Sequence, residues 1–386
     1  MFKDKKIILF ALIAYFAATG ISYFVFAKSP LASQFSSPVP PTTDSKGNLM
    51  FDETLPKTEA CPINGQKYSK QQKAWWDKHR PLGIMVENHE NSRPQSGINS
   101  ADVTYEVVAE GGITRMLNIY HCQAPVQVGP VRSARTYFLD WMSEYGDAPL
   151  YAHVGGANTP GPANALSQIN EYGWGAYNDL NQFSIGFPTF WRDYNRLGHA
   201  TATEHTMYST TDKLWKFAEE DRELGAESKD GTSWTEGFTP YKFKEDASSK
   251  GASQSIHVEH WTDYDEYTVD WTYDPAANQY TRKNGGVAHV DKNTNKPLTA
   301  RNIVVLYQRE SNANDGYENN AHLLYRTEGA GDAVVFMDGK QTKGKWSKDS
   351  RTDKTVINDA AGEEIEFNRG KIWFHILPLD GVLRVK

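Results

Sequence analysis

The chain has 386 residues, of which 39% are hydrophobic and 12% aromatic, and it carries a formal net charge of -7 at pH 7. That length suits about two domains with cores of ordinary size, and the apolar content excludes a globally disordered protein. The acidic balance argues against a protein that binds nucleic acid through whole-surface charge, so no nucleic-acid partner is expected.

The N-terminal residues predict a membrane segment. Lys3, Lys5 and Lys6 precede an uncharged run over residues 7–27, which as a helix is long enough to cross a hydrocarbon core of about 30 Å. The positive charge before the run predicts a cytoplasmic N-terminus, a single-pass anchor in the cell membrane and folded domains outside it. The alternative is a cleaved signal that leaves the protein secreted, because residues 25–27 resemble a cleavage site.

A stretch rich in Ser, Pro and Thr follows over residues 28–60 and predicts a flexible linker. The chain has two cysteines, Cys61 and Cys122. Outside the cytoplasm an isolated pair is more often a disulfide than a metal site, so we expect a bond between them. The alternative is two separate buried thiols.

Residues 61–240 predict an α/β domain whose sheet is at least partly antiparallel, because strand-like runs alternate there with turns and helical spacings. The glycine pair 111–112 predicts a two-residue hairpin turn, which would make the strands on either side antiparallel neighbours. A helical pattern over residues 134–145 follows, with Ser133 as its candidate N-cap.

An unusual segment covers residues 171–199, which contain eight aromatic residues and no clean period. One interpretation is an aromatic-walled groove, and the other is an irregular connection whose rings cover the core. Strand and hairpin signals dominate later in the chain, so residues 241–386 predict a mostly antiparallel, β-rich domain. The predicted fold class is therefore mixed α/β, or α+β, behind one transmembrane helix.

The strongest candidate site is the turn at residues 129–135, which opens the predicted helix. Backbone N–H groups at a helix start carry partial positive charge, so Arg132 and Arg135 beside them suit a phosphate, pyrophosphate or carboxylate. The proposed ligand-binding residues in this turn and its neighbours are Arg115, Arg132, Ser133, Arg135, Asn88 and Arg93. In the alternative interpretation Arg132 and Arg135 form structural ion pairs. The carboxylates available for such pairs are Glu106, Glu110 and Asp140.

Two further residues are candidates for catalysis. Glu110 and His153 each end a predicted strand beside a glycine turn, where side chains project into clefts, so together they suit an acid/base pair. The alternative for His153 is a histidine hydrogen-bonded in the core. No metal is expected, because His257 and His260 would face opposite sides of a strand. No cofactor is expected either, since the sequence contains no P-loop and no dinucleotide-binding glycine pattern.

Long motifs give the chain a resemblance to a known family. The motifs are RPLGIMVENHENSRPQSGINSADVTYEVVAEGGITRMLNIY over residues 80–120, VGPVRSARTYFLDW over residues 128–141 and YAHVGG over residues 151–156. They resemble the YerB-like family of bacterial extracytoplasmic proteins, whose two domains have no established function. The resemblance is close from residue 61 to about residue 211 and looser in the β-rich part. It implies an extracytoplasmic location and no particular reaction. Members are typically lipoproteins or carry an N-terminal membrane segment. This chain has no cysteine near the end of the run over residues 7–27 to which a lipid could be attached, which favours the transmembrane anchor.

The sequence thus predicts a membrane-tethered extracytoplasmic protein that binds an anionic or carbohydrate cell-envelope ligand. An alternative function is a hydrolase or transferase that acts on envelope glycan or phosphate linkages, with Glu110 and His153 as acid and base. A second alternative is an interaction module for envelope proteins, in which the aromatic surfaces form interfaces and the arginines are structural.

Overall fold

The computed structural model describes Tyr15 and residues 40–44, 49–252 and 254–386. Apart from Tyr15, the predicted membrane segment over residues 7–27 lies outside the described residues. Within the described part of the chain, no helix is both long enough and apolar enough to cross a membrane.

The described residues contain short helices and many strands. The α-helices are α1 (Lys70–Trp76), α2 (Thr136–Met142), α3 (Ala165–Glu171), α4 (Gln182–Ile185) and α5 (Thr211–Arg222). The strands of the first part of the chain are β1 (Thr42–Thr43), β2 (Leu49–Met50), β3 (Lys57–Ala60), β4 (Lys67–Ser69), β5 (Leu82–Glu87), β6 (Val103–Glu110), β7 (Ile113–Tyr120), β8 (Leu150–His153), β9 (Asp179–Asn181), β10 (Trp191–Arg192) and β11 (Met207–Tyr208).

The later part of the chain is almost entirely β. Its strands are β12 (Phe243–Lys244), β13 (Ser255–Glu259), β14 (Val269–Asp274), β15 (Gln279–Asn284), β16 (Val287–Ala288), β17 (Val290–Asp291), β18 (Lys296–Pro297), β19 (Thr299–Ala300), β20 (Asn302–Tyr307), β21 (Glu310–Asn312), β22 (Leu323–Tyr325), β23 (Gly329–Met337), β24 (Lys340–Lys348), β25 (Val356–Asp359), β26 (Phe367–Asn368), β27 (Ile372–Leu377) and β28 (Val382–Val385). The prediction of a β-rich second part is confirmed.

A ten-stranded sheet forms the centre of the fold, in the order β25-β24-β23-β20-β27-β6-β7-β5-β8-β9. Strands β6 and β7 are antiparallel across Gly111 and Gly112, both of which have positive φ, so the predicted hairpin is confirmed. Strand β27 pairs with β6 in parallel, and this pairing joins the strands on either side of residue 240 into one sheet. The described residues from Pro41 to Lys386 accordingly form one compact unit.

A second sheet contains six strands in the order β16-β15-β14-β13-β28, with β19 paired to β15. It packs on the central sheet through tryptophans: the rings of Trp271 in β14 and Trp373 in β27 are 5.2 Å apart. On the central sheet, Tyr105 stacks between Trp141 of α2 and Phe374 of β27, at 5.4 and 4.7 Å. Aromatic rings thus fill much of the core around the central sheet.

Helix α2 begins later than the sequence predicted. The sequence placed its N-cap at Ser133, but Arg135 occupies that position and the helix runs over Thr136–Met142. The physical reason is a backbone bridge between Ala134 and Gly156, in which the Ala134 N–H donates to Gly155 O at 2.9 Å. That bridge keeps the chain extended before the helix.

The predicted disulfide between Cys61 and Cys122 is confirmed, with the two Cα atoms 6.0 Å apart. It ties the end of β3 to the residues that follow β7. The last four residues of the predicted linker, Lys57–Ala60, form β3 and pair with β4, so the folded part of the chain begins before the first cysteine.

Candidate ligand-binding cleft

The candidate site lies where three parallel strands end. Strand β5 pairs in parallel with β8, and β8 pairs in parallel with β9, so their carboxyl ends meet at one edge of the central sheet. Ligands of α/β sheets bind at such edges, because the loops that leave the strands diverge and open a crevice. Here the crevice is a cleft of about 590 Å³. Its lining is Arg132, Ser133, Val154, Gly155, Gly156, Asn158, Leu166, Asn181, Phe183, Arg192, Thr203, Glu204 and Met207.

The turn after β8 forms the floor of the cleft. Gly155 has φ +58°, a conformation that favours glycine, and a Cβ at this position would lie 3.0 Å from the Phe183 ring. The Gly155 N–H donates to Asn181 Oδ1 at 3.1 Å, which links the ends of β8 and β9. The glycine therefore lets the chain turn under an exposed aromatic ring.

Arg132 projects from the turn at residues 129–135, and its side chain is 27% exposed. Its Nε lies 3.6 Å from Glu87 Oε2, at the carboxyl end of β5. The same carboxylate is 2.9 Å from His205 Nδ1 through each of its oxygens. The hydrogen bond that His205 donates to the Glu87 carboxylate raises the pKa of His205 above its ordinary value. Arg132 thus shares the carboxylate of Glu87 with a histidine that the sequence analysis did not select.

Arg192 lines the same cleft as Arg132. Its Nη1 donates to Thr203 O at 2.5 Å and to Thr206 Oγ1 at 3.1 Å. Among the described residues, no carboxylate forms an ion pair with Arg192. A guanidinium held by neutral oxygens keeps donors and charge for a ligand.

Arg115 and Arg135 lie behind the cleft and do not line it. Their Nη2 atoms are 3.0 and 2.5 Å from the two oxygens of Glu110, and both arginines are buried. Burial alone would raise the pKa of Glu110, but the two arginines outweigh it and lower that pKa to about 2. The ion-pair interpretation therefore describes Arg135, whereas Arg132 pairs with Glu87 and with none of the three carboxylates considered for it. Arg115 also donates to Ser133 O at 3.0 Å and so supports the cleft wall.

His153 is fully buried, and both of its ring nitrogens are engaged. Its Nδ1 is 2.6 Å from Gly155 O and its Nε2 is 2.6 Å from Asp179 Oδ1. This is the core histidine of the alternative interpretation, and it holds the turn that forms the cleft floor. Glu110 remains ionised at neutral pH and binds two arginines, so the geometry gives neither residue a proton-transfer role.

Asn88 and Arg93 lie away from the cleft, in a polar network between the two sheets. Asn88 is fully buried and donates to Thr114 Oγ1 at 2.7 Å and to Asn284 Oδ1 at 2.8 Å. Arg93 donates to Asn88 Oδ1 at 3.1 Å and to Glu266 O at 2.8 Å. The structure therefore does not bring these two predicted ligand-binding residues together with Arg132.

The remaining residues of the cleft were missed by the sequence analysis. Asn181, Phe183 and Arg192 come from the aromatic segment over residues 171–199, which was the one signal that pointed to them. The groove interpretation of that segment fits Phe183, whose side chain is largely exposed. The core interpretation fits Trp174 and Phe190, which are buried.

One buried cluster has a composition that suits a metal ion: Glu106, His260 and His375 lie close together. The hydrogen bonds of this cluster argue against a metal ion. Trp271 Nε1 donates to His375 Nε2 at 2.9 Å, so the proton of the His375 ring lies on Nδ1. Nδ1 is the nitrogen that faces the cluster, and a protonated nitrogen cannot bind a metal. Both oxygens of Glu106 are bound by Arg282. The arrangement favours a hydrogen-bonded network.

Two family models match the chain. The N-terminal domain of DUF3048, described as a protein of unknown function, matches residues 65–225, and the DUF3048 C-terminal domain matches residues 258–374. A curated relative from Bacillus subtilis (strain 168), described as "Putative lipoprotein YerB", is 30% identical over 328 residues, which is 84% of this chain and 88% of the relative. The crystal structure of the YerB protein from Bacillus subtilis is similar with a TM-score of 0.69 and 25% identity, over 85% of this chain and 100% of that one.

Both DUF3048 segments therefore occur in this chain, where strands β6 and β27 pair in the central sheet. The chain belongs to the YerB-like family, and the resemblance noted in its sequence is confirmed.

Proposed function

We propose that this protein is an extracytoplasmic, membrane-tethered binding protein for an anionic or carbohydrate ligand of the cell envelope, held in the cleft that Arg132 and Arg192 line. The observation that carries the proposal is the position of these two guanidinium groups at the carboxyl ends of β5, β8 and β9. Planar N–H donors match the geometry of phosphate and carboxylate oxygens.

The rest of the cleft suits a ligand larger than a bare anion. Phe183 presents a ring that is 74% exposed, and the amide groups of Asn158 and Asn181 lie beside it. An aromatic face packs against the apolar face of a sugar ring, while amides bond to hydroxyl groups. A volume of about 590 Å³ lies within the range of small-molecule sites.

Two observations support the location. The relative from Bacillus subtilis is described as "Putative lipoprotein YerB", a description that is consistent with a membrane-anchored extracytoplasmic protein. The bond between Cys61 and Cys122 suits an oxidising compartment outside the cytoplasm. The apolar run over residues 7–27 supplies the proposed anchor.

The interaction-module alternative also has an observation in its favour. Phe183, Phe187 and Tyr194 are exposed large aromatics within one short segment beside the cleft. The enzyme alternative loses support, since Glu110 and His153 are held in structural contacts away from the cleft surface.

The proposal is tested by thermal shift of the purified full-length protein with three anionic probes: inorganic pyrophosphate, glycerol 3-phosphate and N-acetylglucosamine 1-phosphate. A ligand that binds only the folded state raises the melting temperature. The expected result is stabilisation of the wild type by at least one probe and no stabilisation of Arg132→Ala/Arg192→Ala. Arg384→Ala is the matched control, because Arg384 is exposed and distant in sequence from the cleft residues.

Equal stabilisation of the wild type and the double variant would place binding elsewhere and overturn the proposal. If no probe stabilises the wild type, the cleft does not bind these classes and the interaction-module alternative replaces the proposal. Capture of a partner that is lost in Phe187→Ala would then identify the exposed aromatics as the interface.

A further inference from the structure

A second cleft lies at the amino ends of β8 and β9, whereas the Arg132 cleft lies at their carboxyl ends. Pro149 precedes β8 and Asn178 precedes β9, and both line a cleft of about 470 Å³ at the amino ends of the strands. The four residues of β8 separate it from the Arg132 cleft by about 13 Å, at roughly 3.3 Å per residue. The two clefts share no lining residue. The second cleft is therefore a separate place on the molecule.

Aromatic rings form one wall of this second cleft. Tyr172, Trp174 and Tyr177 line it, all from the segment over residues 171–199. Trp174 is nearly buried and packs edge-on against Tyr172 at 6.0 Å, whereas Tyr177 is 40% exposed. A partly exposed tyrosine beside a fixed aromatic pair offers a rigid apolar surface to a ligand.

Arg351 lies over the Tyr172 ring, with its Cζ 4.0 Å from the ring centroid. Its Nη1 donates to Ser143 Oγ at 2.6 Å, and no carboxylate among the described residues forms an ion pair with it. Arg351 belongs to the turn between β24 and β25, so the cleft joins side chains from both DUF3048 segments. The guanidinium thus stays in place without a partner of opposite charge.

The residues that line the cleft carry two carboxylates, a guanidinium and a side-chain amide. Asp147 and Glu236 contribute carboxylates, and Arg351 contributes donors. Asn178 is fully buried and donates to Pro149 O at 2.6 Å, while its side-chain oxygen has no hydrogen-bond donor in the described part of the chain. An unpaired buried oxygen is costly, so a donor from a ligand or a water would stabilise it.

The charged side chains of the cleft favour a neutral ligand over a cation or an anion. Each ionic class of ligand meets a like charge here: an anion meets the carboxylates of Asp147 and Glu236, and a cation, although these carboxylates attract it, meets the guanidinium of Arg351. A neutral polyhydroxyl ring avoids both penalties, since its hydroxyl groups donate to carboxylates and accept from a guanidinium. Its apolar face would pack on Tyr177.

We propose that this aromatic-walled cleft is a second binding site, which takes a neutral pyranose ring of a glycan. The site rests on its own residues and not on the proposed function of the Arg132 cleft. Tyr177 supplies the stacking surface, and Arg351, Asp147 and Glu236 bond to the hydroxyl groups around the edge of the ring.

The test is a titration of the full-length protein with N,N′-diacetylchitobiose, followed by ligand-observed NMR. The expected result is saturable binding to the wild type that weakens by about tenfold or more in Tyr177→Ala, because the stacking surface is lost. Tyr194→Ala is the matched control, since Tyr194 is also an exposed tyrosine of the aromatic segment but lies outside this cleft. Arg351→Met should weaken binding as well while keeping an apolar contact with Tyr172.

The proposal is overturned if the disaccharide does not bind at millimolar concentration, or if Tyr177→Ala and Tyr194→Ala bind it equally well. Binding of choline or of inorganic phosphate at this cleft, in place of the disaccharide, would also overturn it. Arg132→Ala/Arg192→Ala separates the two sites, because this variant should bind the disaccharide as the wild type does even if the Arg132 cleft proves to be inert.

Discussion

Glu106 and Arg282 form an ion pair in which both side chains are completely buried, with Nη2 of the arginine 2.7 and 2.8 Å from the two carboxylate oxygens. Glu106 lies in β6 of the central sheet and Arg282 in β15 of the smaller sheet. Trp373 donates to Glu106 Oε2 at 3.0 Å, and its ring lies 4.9 Å from the guanidinium. Burial favours a raised pKa for Glu106, yet Arg282 outweighs it and holds that pKa below its ordinary value. This pair therefore fastens the two sheets together.

Glu106→Gln should destabilise the fold by about 3–5 kcal/mol, because it leaves the buried charge of Arg282 without a partner. Urea denaturation measures the loss. Asp332→Asn is the matched control, since it removes an acid from the pair with Lys345, in which the side chains are 68% and 71% exposed, and it should change stability by less than about 1 kcal/mol. Equal losses in the two variants would show that the buried pair does not fasten the sheets.

Removal of the disulfide should also destabilise the protein. Cys61 and Cys122 are 61 residues apart, and in the chain-entropy model a loop of that length corresponds to about 4 kcal/mol. Cys61→Ala/Cys122→Ala should therefore unfold at a lower urea concentration than the oxidised wild type. A reductant should lower the stability of the wild type and leave the double variant unchanged. A wild type that is insensitive to the reductant would contradict the prediction.

The sequence was sufficient to predict features that follow from a local pattern or from residue type. The hairpin at Gly111 and Gly112 follows from two residues that adopt positive φ, and the cysteine pair follows from its isolation and compartment. The parallel pairing of β27 with β6 joins distant parts of the chain, and no local pattern specifies it. For that reason a division into two parts at residue 240 does not reveal the shared sheet.

The sequence likewise predicted some residues of the candidate site and missed others. Arg132 and Ser133 line the cleft, as the turn that contains them suggested. Arg192 lines the cleft beside Met207, its partner in the pairing of β10 with β11, and no local sequence pattern specifies that pairing. Residue type alone also could not separate Arg132, which is partly exposed, from Arg135, which is buried against Glu110. Burial and partners decide which arginine meets solvent.

The difference in burial predicts a larger loss of stability for Arg135→Ala than for Arg132→Ala. Arg135→Ala should cost about 2 kcal/mol, since it breaks a largely buried pair whose carboxylate, on Glu110, is 28% exposed and partly screened. It should also raise the pKa of Glu110 from about 2, because one of the two nearby guanidinium groups is lost. Arg132→Ala should change stability by less than about 1 kcal/mol. Chemical denaturation of both variants measures the contrast, and a larger loss in Arg132→Ala would reverse the assignment of structural and ligand-facing arginines.

Anion binding in the Arg132 cleft should weaken as pH rises through the pKa of His205. The hydrogen bond that His205 donates to Glu87 raises that pKa, so the folded protein keeps the proton on His205 to a higher pH than a free histidine does. While His205 is protonated, its charge offsets Glu87 and leaves Arg132 free to attract an anion. Once the proton leaves, Glu87 offsets Arg132 instead. The same sign applies to stability, because a raised pKa contributes stability that is lost as pH rises through it.

Sulfate is a suitable probe for this effect, since its charge is constant between pH 6 and pH 8. Its affinity for the wild type, measured by calorimetry, should fall across that range. His205→Gln should bind sulfate with a lower affinity that no longer depends on pH, because the side chain cannot take a proton. Two groups near His205 remain in the variant, Glu204 and the stacked His89 at 4.8 Å. A backbone hydrogen bond lowers the pKa of Glu204 and burial lowers the pKa of His89, so neither should replace the pH dependence of His205. His257→Gln, which removes a histidine paired with Asp270 on the smaller sheet, should keep the full pH dependence of the wild type. A pH profile that is identical in the wild type and in His205→Gln would show that another group controls the charge of the cleft.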